Sequence, residues 1–149
     1  MKLSLEKGLF LKALSHGQSV VEKRTTVPIL SHILLAASTQ GLSITATDMD
    51  IALIDTIPSQ LHHPGSVCVS AHLIYDIVKK LSDRSLIELQ VSPDEGQLVV
   101  TSGRSRFELP CLPSEDFPQL TQGQLSHRFS LPAPVIKHLI ETTRFAMST

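Results

Sequence analysis

The chain has 149 residues, with 13 Lys and Arg against 14 Asp and Glu, 42% hydrophobic residues, 18% charged residues and no Trp. That length suits one ordinary domain and part of another, and the composition excludes the collagenous, disulfide-framework and disordered classes. A membrane helix needs about 18 consecutive apolar residues, and the best candidate, 27–37, is broken by Pro28, Ser31 and His32.

The N-terminus has Glu6 inside what would be the apolar part of a leader, so no signal peptide is read and a cytoplasmic protein is expected. Cys68 and Cys111 each sit in an apolar stretch, which favours buried free thiols over a bridge or a metal site.

In chain order, Leu3 and Leu5 alternate with Lys2 and Ser4, the period of a half-buried strand. From Glu6 the period changes, and Leu9, Phe10, Ala13 and Leu14 predict a helix to about Gly17, with Lys7, Lys12 and His16 on its polar side. A polar loop, 22–26, leads to three strand-like runs, 33–37, 42–47 and 51–57. Residues 58–66 read as a loop from their Pro, His and Gly content, and 67–69 as a short strand. A second helix is predicted after Ser70, its apolar stripe made of Leu73, Ile74, Ile77, Val78 and Leu81. Three more strand runs follow, 86–91, 97–101 and 106–111, and 113–126 reads as a linker.

Laid over itself at an offset of 64, the chain puts Leu3, Leu5, Leu9, Phe10, Ala13 and Leu14 on Val67, Val69, Leu73, Ile74, Ile77 and Val78. Each copy continues into three strands, so the pattern is two βαβββ halves, an α+β domain. The motif returns at an offset of 126 with Phe129, Leu131, Val135, Ile136, Leu139 and Ile140. The expected organisation is a complete first domain over 1–120, then a linker and the opening strand and helix of a second, truncated domain over 121–149.

No catalytic constellation emerges. Asp48 with Asp50, and His62 and His63 with Cys68, match no metal-ligand spacing, and the 102–105 stretch lacks a nucleophile frame and suits a hairpin turn. No cofactor is expected. Basic residues lie off the helix stripes: Lys12, His72, Lys79, Lys80, Lys137, His138 and Arg144. A solvated helix surface is the ordinary explanation, but repeats that place their helices on one side would align these cations as a sequence-independent phosphate track.

Five segments in order, 24–35, 42–48, 102–107, 112–118 and 129–131 with 139–147, resemble the bacterial sliding clamp family, the beta subunit of DNA polymerase III. The resemblance implies the DNA-clamp fold, duplicated βαβββ halves with helices on one side of antiparallel sheets. It implies a non-catalytic processivity factor whose full-length members form a ring-shaped homodimer around double-stranded DNA. DNA polymerase III and the clamp loader would be partners through domains this chain lacks, with no membrane. By the same resemblance Lys12 and Arg24 match DNA-facing positions, Lys79 matches a usually basic one with Lys80 beside it, and Arg104, Arg106, Phe107 and Leu109 match the edge that meets the second subunit. The other reading of the residues is a non-catalytic protein-interaction module that acts through this edge strand without encircling DNA.

Overall fold

Leu3 and Leu5 enter the core as their alternation requires, and their strand, β1 (Lys2–Glu6), runs without a loop into α1 (Lys7–Val20). The computed structural model describes residues 1–21, 26–92, 96–118 and 130–147. Two compact units are present, Met1–Gln119 and Leu120–Thr149.

In the first unit α1 passes through Gly17, where the sequence had suggested an end, because the helix lies tight on the sheet there. A Cβ on Gly17 would stand 3.5 Å from Ile33 and 3.8 Å from Ile44 and Ala46. After a 3-10 turn at Pro28–Ser31 come β2 (His32–Ser38), β3 (Gly41–Thr47) and β4 (Ala52–Ile57). Residues 58–66 are not the loop predicted, since Gln60–His63 forms β5. Then β6 (Gly65–Ser70) leads into α2 (Ala71–Lys80), followed by β7 (Leu86–Ser92), β8 (Gln97–Ser102) and β9 (Ser105–Leu112). Between β8 and β9, Ser102 faces Ser105 across a two-residue turn with Gly103 at φ +58°, the conformation that Gly supplies without strain.

All neighbouring strands are antiparallel, in the order β4-β3-β2-β6-β9-β8-β7-β1-β5. The two halves exchange their first strands. Leu3 and Leu5 of β1 lie opposite Leu89 and Ile87 of β7, while Val67 and Val69 of β6 lie opposite Leu35 and Ile33 of β2. Each half is therefore completed by the other, which makes the duplication one cooperative core rather than two stacked units. The fourth strand of each half also changes sheets at a proline. β4 pairs with β3 as far as Ile57, Pro58 follows, and β5 then pairs with β1. In the second half β9 pairs with β8 as far as Pro110, and Cys111 and Leu112 then pair with β6. Proline has no N–H to give the ladder, so the chain can leave one sheet for the other at those points.

The helices obey the same repeat. Four buried positions of α1, Lys7, Phe10, Leu14 and Gly17, map at the offset of 64 onto Ala71, Ile74, Val78 and Leu81, all buried, while buried Ala13 maps onto half-buried Ile77. Leu9 and Leu73, counted above with the apolar stripes, are instead both exposed, each one residue and about 100° around the helix from that stripe. Lys7 is the other departure. Rather than facing solvent, it is 5% exposed and its Nζ donates to the Leu81 carbonyl and, at 2.7 Å, to Asp83 Oδ1, so the first residue of α1 caps the C-terminus of α2. At the other end Gln18 Nε2 meets His72 Nδ1 at 2.6 Å, so the two helices pack antiparallel. Ser4, expected on the polar side of its strand, is buried and sits 3.1 Å from His62 Nε2 across the β1–β5 pair. Past β9, Ser114–Asp116 makes a 3-10 turn against β6, held by Ser66 Oγ donating to Ser114 Oγ at 2.9 Å, and Phe117 is buried.

In the second unit, α3 (Ala133–Thr143) begins behind Pro132 and ends in a 3-10 turn, Arg144–Ala146. The strand expected at 129–131 falls partly outside the described residues, and Ser130 to Pro132 takes no regular structure. Leu131, Val135, Ile136, Leu139 and Ile140, the third copy of the apolar motif, are all exposed.

Candidate nucleic-acid and subunit interfaces

The side of the helix pair that turns away from the sheets carries Leu9, Lys12, Ser15, His16 and Ser19 from α1 and Leu73, Asp76, Lys79 and Lys80 from α2, all exposed. Core burial of the opposite stripes fixes this orientation, because Phe10, Leu14, Ile74 and Val78 can be buried only if these residues face out. Lys12 stands at mid-helix. Lys79 and Lys80 occupy the last turn of α2, where the helix dipole favours cations, and Lys79 Nζ lies 5.7 Å from the centroid of the Tyr75 ring. His16 is drawn sideways to Asp55 of β4, with Nδ1 and Oδ2 3.1 Å apart, so it contributes less to this face than its place in the sequence suggests. Arg24 lies outside the described residues. The exposed residues of α1 and α2 thus include Lys12, Lys79 and Lys80, with Asp76 as the one exposed acid on either helix.

The second predicted site divides. Arg104 is exposed in the β8–β9 turn, and Arg106 is exposed with its guanidinium 2.8 Å from Glu108 Oε1 on the same strand. Phe107 is 37% exposed, but Leu109, two residues further along the same face, is 1% exposed and belongs to the core. Leu109 thus lies in the core directly beneath the edge, and Phe107 is the apolar side chain that the edge exposes. Periodicity alone could not separate the two, since Phe107 and Leu109 share one side of an alternating strand. Along Ser105–Leu109, β9 has β8 on one side and, among the described residues, no strand on the other.

The remaining sequence candidates resolve as structure. Asp48 Oδ1 accepts the N–H groups of Asp50 and Ile51 at 3.0 and 2.7 Å, a local turn. Among the described residues no group of three His, Cys, Asp or Glu side chains is placed to hold a metal ion, and no helix is long and apolar enough to cross a membrane. Cys68 and Cys111 are free thiols. Burial first, then the neighbouring Cys111, Asp116 and Glu115, push the Cys68 thiol up to about 12, and burial pushes that of Cys111 up to about 11.

Two βαβββ halves that exchange strands, with paired antiparallel helices on one side of antiparallel sheets, define the DNA-clamp class of fold. The family described as DNA polymerase III beta subunit, N-terminal domain, matches residues 1–121, and the chain belongs to that family. It is 48% identical over 149 residues to the beta sliding clamp of Caulobacter vibrioides and 36% identical to that of Escherichia coli strain K12. It spans about 40% of the length of these relatives, while they cover 100% and 99% of this chain. Among solved structures, Caulobacter crescentus pol III beta superposes with a TM-score of 0.94 over the whole chain and 40% of its own length. The DNA polymerase III subunit beta from Pseudomonas aeruginosa superposes at 0.92, with 37% identity and the same coverage.

Proposed function

We propose that this chain is a clamp segment of a DNA replication processivity factor, which lays its helix pair along double-stranded DNA and performs no chemistry of its own. What supports this reading is the exposed side of α1 and α2, which carries Lys12, Lys79 and Lys80 opposite the buried stripes that face the sheets. Long, mobile ammonium groups without a fixed base-reading set suit phosphates of any sequence. Arg24 would join them by the family resemblance. In this reading residues 1–120 are one clamp domain and 121–149 open a second repeat. Arg104, Arg106 and Phe107 would meet a second clamp subunit to close a homodimeric ring in the cytoplasm, where DNA polymerase III and its clamp loader would be partners of the whole protein.

Three phosphate contacts give a salt slope near −3 at about −0.9 per contact. Fluorescence anisotropy of the whole chain on short duplexes, across a salt series, tests this. Weak binding with that slope, equal on unrelated sequences and lost when Lys12, Lys79 and Lys80 are replaced by Glu, is the expected result. Binding that survives the triple replacement would mean the face is only solvated.

A further inference from the structure

The turn that joins α2 to β7 carries a cation that no packing role accounts for. Arg84 is exposed, stands at φ +56°, and makes no hydrogen bond or ion pair with any described residue. A left-handed backbone favours Gly or Asn, so this position gives up conformational ease to keep an arginine. The turn around it is held from three points by the first residue of α1. The Lys7 N–H donates to the Ser85 carbonyl at 3.1 Å, and the Lys7 ammonium donates to the Leu81 carbonyl and, at 2.7 Å, to Asp83 Oδ1. These bonds fix the backbone on both sides of Arg84 and engage the acid beside it, so a firm support presents a guanidinium that is free. The charge also departs from the duplicated plan. At the offset of 64, where burial repeats, Lys79, Lys80 and Arg84 stand over Ser15, His16 and Val20. Both halves need the buried positions, but only one carries these three cations, so core packing does not explain them.

We infer that Arg84 is a further phosphate contact, which continues the basic side of α2 past its C-terminus and adds a planar fork to the lysines. Arg84 lies four residues beyond Lys80, at most about 14 Å along an extended chain, and a duplex offers a phosphate about every 3.4 Å of axis on each strand, so Lys79, Lys80 and Arg84 can engage one duplex. An ammonium meets a phosphate as a point charge, whereas a guanidinium grips two of its oxygens at once, so Arg84 contributes orientation as well as charge. The inference rests on the DNA-facing reading of the helix pair.

Arg84→Gly is the informative variant, because glycine takes φ +56° without strain and the chain should melt no lower than wild type. Fluorescence anisotropy of the whole chain on short duplexes should show a salt slope smaller by about 0.9, the loss of one contact, on any sequence. With that contact extrapolating to nothing at 1 M salt, affinity should fall about 15-fold at 50 mM salt and about fourfold at 200 mM. Arg84→Lys keeps the charge and should keep the slope. Wild-type affinity and slope in Arg84→Gly would overturn the inference, as would a loss of binding that follows a lowered melting temperature or that Arg84→Lys reproduces in full. The triple replacement of Lys12, Lys79 and Lys80 by Glu separates the two readings. If it abolishes binding while Arg84→Gly changes nothing, the helix pair faces DNA without Arg84; if both are silent, the two readings fail together.

Discussion

Lys7 offers the sharpest test of how the two helices hold each other. Lys7→Met keeps the buried stem and removes the ammonium that donates to the Leu81 carbonyl and to Asp83. A hydrogen bond from a charged donor to a buried acceptor contributes about 1.5 to 3 kcal/mol, and the ammonium also faces the C-terminal dipole of α2. Asp83 is fully exposed and adds little to stability. A net loss of about 2 kcal/mol is expected, which in a domain of this size lowers Tm by roughly 6 to 10 °C. Hydrogen bonding and attraction to Lys7 hold the Asp83 carboxyl below its ordinary 3.8, so in the variant it should titrate higher, toward that value. The sign with pH follows. A depressed carboxylate contributes stability that is present above its unfolded value and lost as pH falls through its folded one, so the gap between wild type and variant should narrow in acid. Calorimetry gives the first quantity and carbon-detected carboxylate titration the second. A Tm within 2 °C of wild type with an unmoved Asp83 would refute the capping role.

Other consequences are simpler to state. Gly41 stands at φ +125° with a would-be Cβ 2.3 Å from the Ile57 carbonyl oxygen, so Gly41→Ala must displace the β3–β4 ladder and should cost at least about 2 to 3 kcal/mol in urea unfolding. Leu109→Ala should cost about 2 to 5 kcal/mol as a core truncation, and Phe107→Ala, partly exposed, about 1 to 2; the reverse order would mean that Phe107, not Leu109, fills the core. Cys68 should resist alkylation at neutral pH because its thiol is pushed up to about 12. Phe117→Ala, by loosening the turn at Ser114–Asp116, should speed labelling at Cys68 more than at Cys111, as peptide mass spectrometry would read.

Much of this was legible in the chain. The repeat at an offset of 64 marks Phe10, Leu14, Ile74 and Val78 as buried helix positions, and eight of the nine strands coincide with predicted strand runs, because core burial selects residues by period. Strand exchange was not legible, since β1 and β6 carry the same apolar pattern whichever sheet they join. β5 was hidden because Gln60, His62 and His63 look like loop, and only pairing with β1 across 58 residues gives them a ladder. Lys7 was read as a surface cation because sequence cannot show that Leu81, far along the chain, leaves a carbonyl at its tip. Of the candidate sites, Lys12, Lys79 and Lys80 were readable from their place off the stripe, whereas the divide between Phe107 and Leu109 depends on how far the core extends beneath β9.

The most direct test of the DNA-facing helix pair is a map of where duplex DNA touches the whole chain, taken from amide and lysine-methyl NMR shifts in low salt. The account predicts perturbations confined to the exposed side of α1 and α2, at Lys12, Ser15, Lys79 and Lys80, unchanged when the duplex sequence is changed. Perturbations centred on the outward side of the strands, at Glu88, Thr101 or Arg106, with the helices silent, would contradict it.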